Sequence, residues 1–142
     1  MTEQGFDKFE RDAMRRRAEE LRAEQTGRSK KNPEADVLER MTEMTEDEAF
    51  IASHLHDLIK RIAPVLIPKT WYGMQAYTNP ENKVVLFFKA GSLYQSRINT
   101  LGFDDAAQID DGDMYPTSYA LMTWNEEIES KIAGLIQKDI GM

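Results

Sequence analysis

Two stretches of the chain place apolar residues at the three- and four-residue spacing of an α-helix. The first begins with a capping-box sequence, Thr45-Glu46-Asp47-Glu48, and ends at Pro64. Its apolar positions are Ile51, Leu55, Leu58, Ile59 and Ile62. The second follows another capping-box spacing, Thr123 to Glu126, and ends near Gly141. Its apolar positions are Ile128, Ile132, Leu135 and Ile136. Both patterns predict amphipathic helices that pack on a core.

Two further helices are predicted nearer the start of the chain. The segment from Phe6 to Gln25 is rich in good helix formers, but its apolar positions form only a thin stripe. Residues 26–32 are polar and contain a glycine, which is the composition of a linker. Asn32-Pro33 then has the character of a helix start, and a short helix is predicted from there through Met41.

After the helix that ends at Pro64, the pattern changes to that of strands. Lys69–Thr78 is aromatic and β-prone, residues 79–82 are typical of a turn, and Lys83–Lys89 suits a strand buried on both faces. Together they predict a hairpin. Alternation predicts a third strand over Tyr94–Leu101, and Tyr119–Met122 is a fourth candidate. The order of elements indicates an α+β fold, with an antiparallel sheet of about four strands packed with helices, plus an N-terminal helical extension.

Length and composition indicate one folded domain with an appendage. The 142 residues are 41% hydrophobic and 30% charged, which is the balance of a folded domain rather than of a disordered chain. We expect residues 1–31 to form the helical extension and linker, and residues 32–142 to form the α+β domain. The longest apolar run has five residues, against the ~20 that a membrane-spanning helix needs. No signal peptide is recognisable, so the expected location is cytoplasmic, with no membrane partner.

The net charge of −7 is unevenly placed. Residues 1–34 are nearly balanced, whereas residues 35–142 hold nine Lys and Arg against seventeen Asp and Glu. An acidic chain is a poor candidate for nucleic-acid binding, which depends on concentrated Lys and Arg.

The run Arg15-Arg16-Arg17 could contact a nucleic acid or a partner, but pairing with nearby acidic residues on the same helix is favoured. These residues are Asp12, Glu19 and Glu20. The chain has no cysteine, which excludes disulfides, thiol nucleophiles and iron–sulfur ligation by its own residues.

The densest group of carboxylates lies within ten residues, beside two glycines. It consists of Asp104, Asp105, Asp110, Asp111 and Asp113. Hard cations such as Ca²⁺, Mg²⁺ or iron take several oxygen ligands, and this segment could supply them. The spacing is not that of an EF-hand loop. The competing interpretation is a solvated loop in which the aspartates bond their own backbone.

The segment Trp71-Tyr72-Gly73-Met74-Gln75-Ala76-Tyr77 has the highest aromatic density in the chain. As a strand it would place Trp71, Gly73, Gln75 and Tyr77 on one face. Gly73 then suggests a bulge or a close backbone approach, for example by a ligand. Together with Arg97 and Tyr115, Trp71 and Tyr72 could line a pocket for a small anionic or planar ligand. Ordinary core packing of these aromatic residues is the alternative.

The two histidines do not form a recognisable catalytic or metal-binding pair. His54 and His56 lie two apart on a predicted helix, so they project about 200° from one another and cannot share a metal from one face. We expect His54 to be partly buried and His56 to lie on the surface. Neither has a nucleophile at a suitable spacing, and no catalytic motif is present. The sequence therefore predicts a protein that is not an enzyme.

Four blocks carry a resemblance to a known family. They are Trp71-Tyr72-Gly73-Met74-x-Ala76-Tyr77, Lys83-Val84-Val85-x-Phe87-Phe88, Thr100-Leu101-Gly102-Phe103, and Asp110-Asp111-Gly112-x-Met114-Tyr115-Pro116-Thr117 followed by Ala120-Leu121. In this order they resemble the YdhG-like family of small bacterial domains, over roughly residues 36–140. That family is a domain of unknown function, and some members are labelled frataxin-like intracellular iron chaperones. The resemblance implies an antiparallel sheet flanked by helices and supplies no catalytic residues. Gln75 stands where the family usually has proline.

Three functional hypotheses follow. The first is a non-enzymatic domain that binds a cation such as iron, or acts like an iron chaperone, through residues 104–113. The second is a domain that binds a small ligand at the aromatic residues. The third is an interaction module whose N-terminal helix docks on a protein partner or on a second copy of the chain. No cofactor is required by any of them.

Overall fold

The computed structural model describes residues 8–26 and 32–141. The helices are α1 Lys8–Thr26, α2 Pro33–Met41, α3 Glu46–Ile62 and α4 Glu126–Asp139. The strands are β1 Ile67–Trp71, β2 Met74–Thr78, β3 Val84–Lys89, β4 Thr100–Phe103 and β5 Ser118–Ala120, and a 3₁₀ helix spans Gly91–Tyr94. The predicted helix start at Phe6 and most of the predicted linker at 26–32 lie outside the described residues.

The strands form one antiparallel sheet in the order β1-β2-β3-β4-β5, which confirms the α+β class. The sheet has five strands rather than four because the predicted strand 69–78 is two strands. Trp71 pairs with Met74 across a two-residue turn in which Tyr72 (φ 54°) and Gly73 (φ 80°) are both left-handed. This is the backbone of a type I′ hairpin turn. The prediction that Trp71 and Gly73 share a strand face is therefore wrong.

The third predicted strand also begins later than expected. Gly91–Tyr94 forms the 3₁₀ helix, and β4 starts only at Thr100. Asn99 fixes the intervening loop, because its side chain accepts from Gly91 N (2.9 Å) and donates to Leu121 O (3.2 Å). A Cβ at Gly91 would lie 2.5 Å from Ile98 O, so the chain folds back closely on itself here. The fourth predicted strand, Tyr119–Met122, overlaps β5, which spans Ser118–Ala120.

Side-chain caps begin three of the helices. Asn32 accepts from Ala35 N with proline at the first helical position, and Thr45 and Glu48 form the predicted capping box. The N-cap of α4 is Asn125, which accepts from Ile128 N (2.8 Å), and not the predicted Thr123. The first turn of α4 is thus shifted by two residues.

The core lies between one face of the sheet and the helices α2, α3 and α4. The largest fully buried side chains include Ile51, Leu55, Tyr77, Leu86, Phe88 and Ile136. Truncating a fully buried leucine to alanine costs about 2–5 kcal/mol, so this interface holds the domain together. This packing fixes the orientation of the sheet, and the residues of its opposite face lie outside this core.

The opposite face of the sheet carries Trp71. The register places Lys69, Ala76, Phe87 and Gly102 side by side across four strands, and Trp71 lies two residues from Lys69. The rings of Trp71 and Phe87 are 5.6 Å apart, and both residues are half-buried. A Cβ at Gly102 would lie 2.3 Å from Phe87 Cζ, so glycine lets this ring lie against β4.

Candidate functional site

A cleft of about 350 Å³ opens beside Trp71. Its lining residues are Arg17, Lys69, Trp71, Asn82, Lys83, Val84, Asp104, Asp105 and Ala106. They come from α1, the end of β1, the turn between β2 and β3, and the segment after β4. Asp104 N donates to Val85 O (2.8 Å), which holds the start of the acidic segment against β3. The fold therefore brings the predicted aromatic segment and the predicted acidic segment to the same cleft.

The cleft combines an indole ring with charges of both signs. Trp71 is supported at the edge by Tyr72 (5.2 Å) and by Phe87, so its ring is held in place by other aromatic rings. Three basic side chains and two carboxylates surround it. A planar group stacked on Trp71 would thus have cationic partners for an acidic substituent.

The tip of the β1–β2 hairpin lies next to this cleft and holds a carboxylate from α1. Glu20 accepts from the backbone N–H groups of Tyr72 (2.9 Å) and Gly73 (3.0 Å), one on each carboxylate oxygen. Arg17 pairs with Glu20 (3.4 Å), and its guanidinium carbon lies 5.6 Å from the Tyr72 ring centroid. Arg17 therefore connects the tip to the cleft beside Trp71.

The carbonyl groups of the same turn are bound from the other side. Arg40, only 5% exposed, donates from Nε to Gly73 O (2.8 Å), and the Tyr94 hydroxyl donates to Tyr72 O (2.7 Å). Burial raises the pKa of Tyr94, and the adjacent Arg40 only partly opposes this. A Cβ at Gly73 would lie 2.8 Å from Arg16 Cδ and 2.9 Å from the Tyr94 hydroxyl. The predicted close backbone approach at Gly73 is real, and it occurs in a turn rather than at a bulge.

The structure separates the four residues predicted to line one pocket. Trp71 and Tyr72 are in contact, and Trp71 lines the cleft. Arg97 is exposed in the loop before β4, and Tyr115 is half-buried after the acidic segment. Neither of these two lines the cleft beside Trp71. Lys69 could have been found from the sequence, because it shares a strand face with Trp71.

The acidic segment is exposed at all five of its aspartates. Desolvation raises the pKa of Tyr115, and so do a hydrogen bond to Asp110 and the nearby charge of Asp105. Asp105 also lines the cleft, so the segment extends from Trp71 toward Tyr115. Within the described residues, no group of three or more His, Asp or Glu side chains is arranged to hold a metal ion. The cation hypothesis for residues 104–113 stays a prediction.

The histidine expectations are wrong, and the two residues exchange roles. His56 is buried: its Nδ1 lies 2.6 Å from the Tyr77 hydroxyl, and its Nε2 lies 2.6 Å from Glu34 Oε2. His54 is exposed, with its ring 4.3 Å from that of Phe50. Sequence spacing on one helix missed this because the partners of His56 come from α2 and β2.

The Tyr77 hydroxyl is the centre of a buried hydrogen-bond network. Gln75 Nε2 donates to Ala52 O (3.1 Å) and to the Tyr77 hydroxyl (2.9 Å), and this hydroxyl also bonds His56 Nδ1. The other ring nitrogen of His56, Nε2, bonds Glu34. A hydrogen bond from Lys60, followed by that from His56, lowers the pKa of Glu34. Gln75 thus links β2 to α3.

The basic run on α1 is paired mainly within its own helix. Arg15 and Arg16 bond Asp12, and Arg17 bonds Glu20. This confirms the predicted pairing for two of the three acidic residues. Arg16 also reaches Glu43 beyond the end of α2 (3.3 Å), so the run helps to attach α1 to the domain.

No family model matches the chain, and no curated protein or solved structure matches it either. The resemblance to the YdhG-like family stays a prediction. Across residues 8–26 and 32–141, no helix has both the length and the apolar character needed to cross a membrane.

Proposed function

We propose that the chain is a non-enzymatic binding domain that takes a small planar anion in the cleft beside Trp71. The observation that carries the proposal is the meeting of one indole ring with three basic side chains in a cleft of about 350 Å³. A stacked ring and a charge-assisted contact are the usual elements of recognition for an aromatic carboxylate. Asp104 and Asp105, which also line the cleft, disfavour ligands that carry several negative charges.

The natural tryptophan content provides the assay. The chain has two tryptophans, and Trp124 is buried with its Nε1 donating to Glu129 (3.1 Å). The quenching of tryptophan fluorescence on titration with benzoate should therefore come from Trp71 and disappear in Trp71→Phe. Two matched probes separate the contributions, since cyclohexanecarboxylate lacks the planar ring and benzamide lacks the charge. Each should bind about two- to tenfold more weakly than benzoate.

The basic rim is tested by charge removal. Lys83→Met should weaken benzoate binding, whereas Lys131→Met, which removes another exposed lysine, on α4, should leave it unchanged. A quench that persists in Trp71→Phe, or equal affinity for benzoate and benzamide, would refute the proposal.

Iron binding through residues 104–113 is the second candidate function. It is supported by the density of exposed carboxylates and by the label that some YdhG-like proteins carry. With no cysteine in the chain, iron would be bound through oxygen ligands.

A further inference from the structure

We propose that the tip of the β1–β2 hairpin is a carboxylate-binding site, which the chain fills with its own Glu20 and which a carboxylate ligand enters when α1 leaves. The site consists of the N–H groups of Tyr72 and Gly73, which lie outside α1. It is distinct from the cleft at Trp71, although Arg17 of α1 pairs with Glu20 here and also lines that cleft.

The receptor part of the site is built without α1. Arg40 on α2 donates to Gly73 O, and Tyr94 on the 3₁₀ helix donates to Tyr72 O. The Tyr94 contact holds the Tyr72–Gly73 peptide and so fixes the direction of the Gly73 N–H, and the Arg40 contact holds the next peptide. The N–H groups of Tyr72 and Gly73 both face the Glu20 carboxylate, and each donates to one of its two oxygens. The positive φ angles of both residues are part of the same geometry.

The occupant is attached mainly by polar contacts. No residue of α1 from 10 to 22 is fully buried, and its apolar Met14 and Leu21 are 48% and 42% exposed. The bond from Arg16 to Glu43 is at least one-third exposed on both sides, and such pairs contribute about 0–1 kcal/mol. In contrast, the Glu20 side chain is only 13% exposed. Glu20 is thus more enclosed than the Arg16–Glu43 pair that also attaches α1.

The connection between α1 and α2 makes the arrangement competitive. Only residues 27–32 lie between the two helices in sequence. A short connection gives an attached group an effective concentration on the order of millimolar. A carboxylate in solution therefore has to compete with Glu20, and it binds with lower apparent affinity than the site itself would allow. This predicts that removing the Glu20 carboxylate exposes the site to ligands in solution.

The test uses the full chain carrying Glu20→Ala, with Glu19→Ala as the matched control. Glu19 is the exposed neighbour of Glu20 on α1. Its substitution removes the same charge but leaves Glu20 in the site. The probe is a fluorescent peptide with the sequence of residues 8–26, and its partner is the same peptide with Glu20→Gln. Anisotropy measures affinity, and ¹⁵N–¹H spectra report the Tyr72 and Gly73 amides.

The Glu20→Ala chain should bind the Glu peptide at least about tenfold more tightly than wild type or Glu19→Ala, because its site is empty. The Gln peptide should bind at least about tenfold more weakly than the Glu peptide, as expected for loss of charge-assisted hydrogen bonds. The Tyr72 and Gly73 amides should shift on binding. Where Arg16 still holds α1 in place, the double variant Arg16→Ala/Glu20→Ala should restore binding.

Acetate distinguishes the source of the carboxylate. Shifts of the Tyr72 and Gly73 amides with acetate in Glu20→Ala, without peptide binding, support a small-molecule ligand; tight peptide binding supports a protein ligand. Equal affinity for the Glu and Gln peptides, together with unmoved amides in acetate, would overturn the proposal. These outcomes are independent of the benzoate titration, which reads Trp71.

Discussion

Replacing Tyr77 by phenylalanine removes the central hydroxyl of the buried network. Tyr77 is fully buried, and its oxygen lies 2.6 Å from His56 Nδ1 and 2.9 Å from Gln75 Nε2. Phenylalanine retains the ring and its packing. It leaves the His56 Nδ1 atom and one Gln75 N–H bond without a partner, next to Gln75 Oε1, which already has no hydrogen-bond partner among the described residues.

The expected loss of unfolding free energy follows from the two polar groups that lose their hydrogen-bond partner. Leaving one buried polar group unsatisfied costs about 1–3 kcal/mol. The two groups share one environment, and the lost hydroxyl no longer has to be desolvated, so we expect Tyr77→Phe to lower the free energy of unfolding by about 2–4 kcal/mol. This is a large fraction of the 5–15 kcal/mol typical of a domain.

Urea denaturation followed by circular dichroism measures this change, with an unchanged slope showing that both chains unfold in the same way. The control is Tyr119→Phe, because Tyr119 is half-buried and packs on Phe103 with a ring separation of 6.4 Å. Its effect should stay within about 0.5 kcal/mol. A loss below about 1 kcal/mol in Tyr77→Phe, or equal losses in both variants, would refute the assigned network.

The same residue gives a pH dependence. Burial is the main cause that raises the pKa of Tyr77 far above its usual value near 10. The folded-state pKa is therefore higher than the unfolded one, so the stability from the neutral phenol is complete below about pH 10 and falls as the pH rises further. Between pH 9 and 11, wild type should lose more stability than Tyr77→Phe.

Three further predictions concern other parts of the molecule. Gly102→Ala should cost about 1–3 kcal/mol of unfolding free energy, because its methyl group would overlap the Phe87 ring; Phe87→Leu in the same chain should recover part of this, and a neutral single variant would contradict it. Ser92→Ala should cost about 1–2 kcal/mol at pH 7. Burial alone would raise the pKa of Glu48, but hydrogen bonds, led by that from Ser92, lower it. The cost of Ser92→Ala should therefore shrink as the pH falls below about 4.5. A difference in unfolding free energy between wild type and variant that stays constant from pH 7 to 3 would contradict this reasoning. Titration with micromolar Fe²⁺ should broaden NMR signals of residues 104–113 first if they bind iron, and no site-specific effect would end that hypothesis.

Local patterns predicted the helices and the central strand. Asn32 and Thr45 cap their helices as expected, because a cap depends on residues within one turn. The apolar run of β3 lies at the middle of the sheet with most of its residues buried, since such a run is stable only between covered faces. The α+β class followed from the order of these elements.

The turn at Tyr72-Gly73 was not predictable from composition. Type I′ turns usually place asparagine, aspartate or glycine at the first position, where φ is positive. Tyrosine is rare in this conformation, and here contacts from α2 and the 3₁₀ helix hold the turn carbonyls in place. The extra strand and the carboxylate site at its tip both depend on that turn.

Most element types, the amphipathic faces and the caps of α2 and α3 followed from local sequence, because these depend on neighbours within a few residues. The contacts between distant groups came from tertiary packing: Glu34 with His56, Glu20 with the hairpin tip, and Asp104 with the Trp71 cleft. A side chain contributes its own polarity and size, whereas its partner depends on how whole elements pack across the sheet.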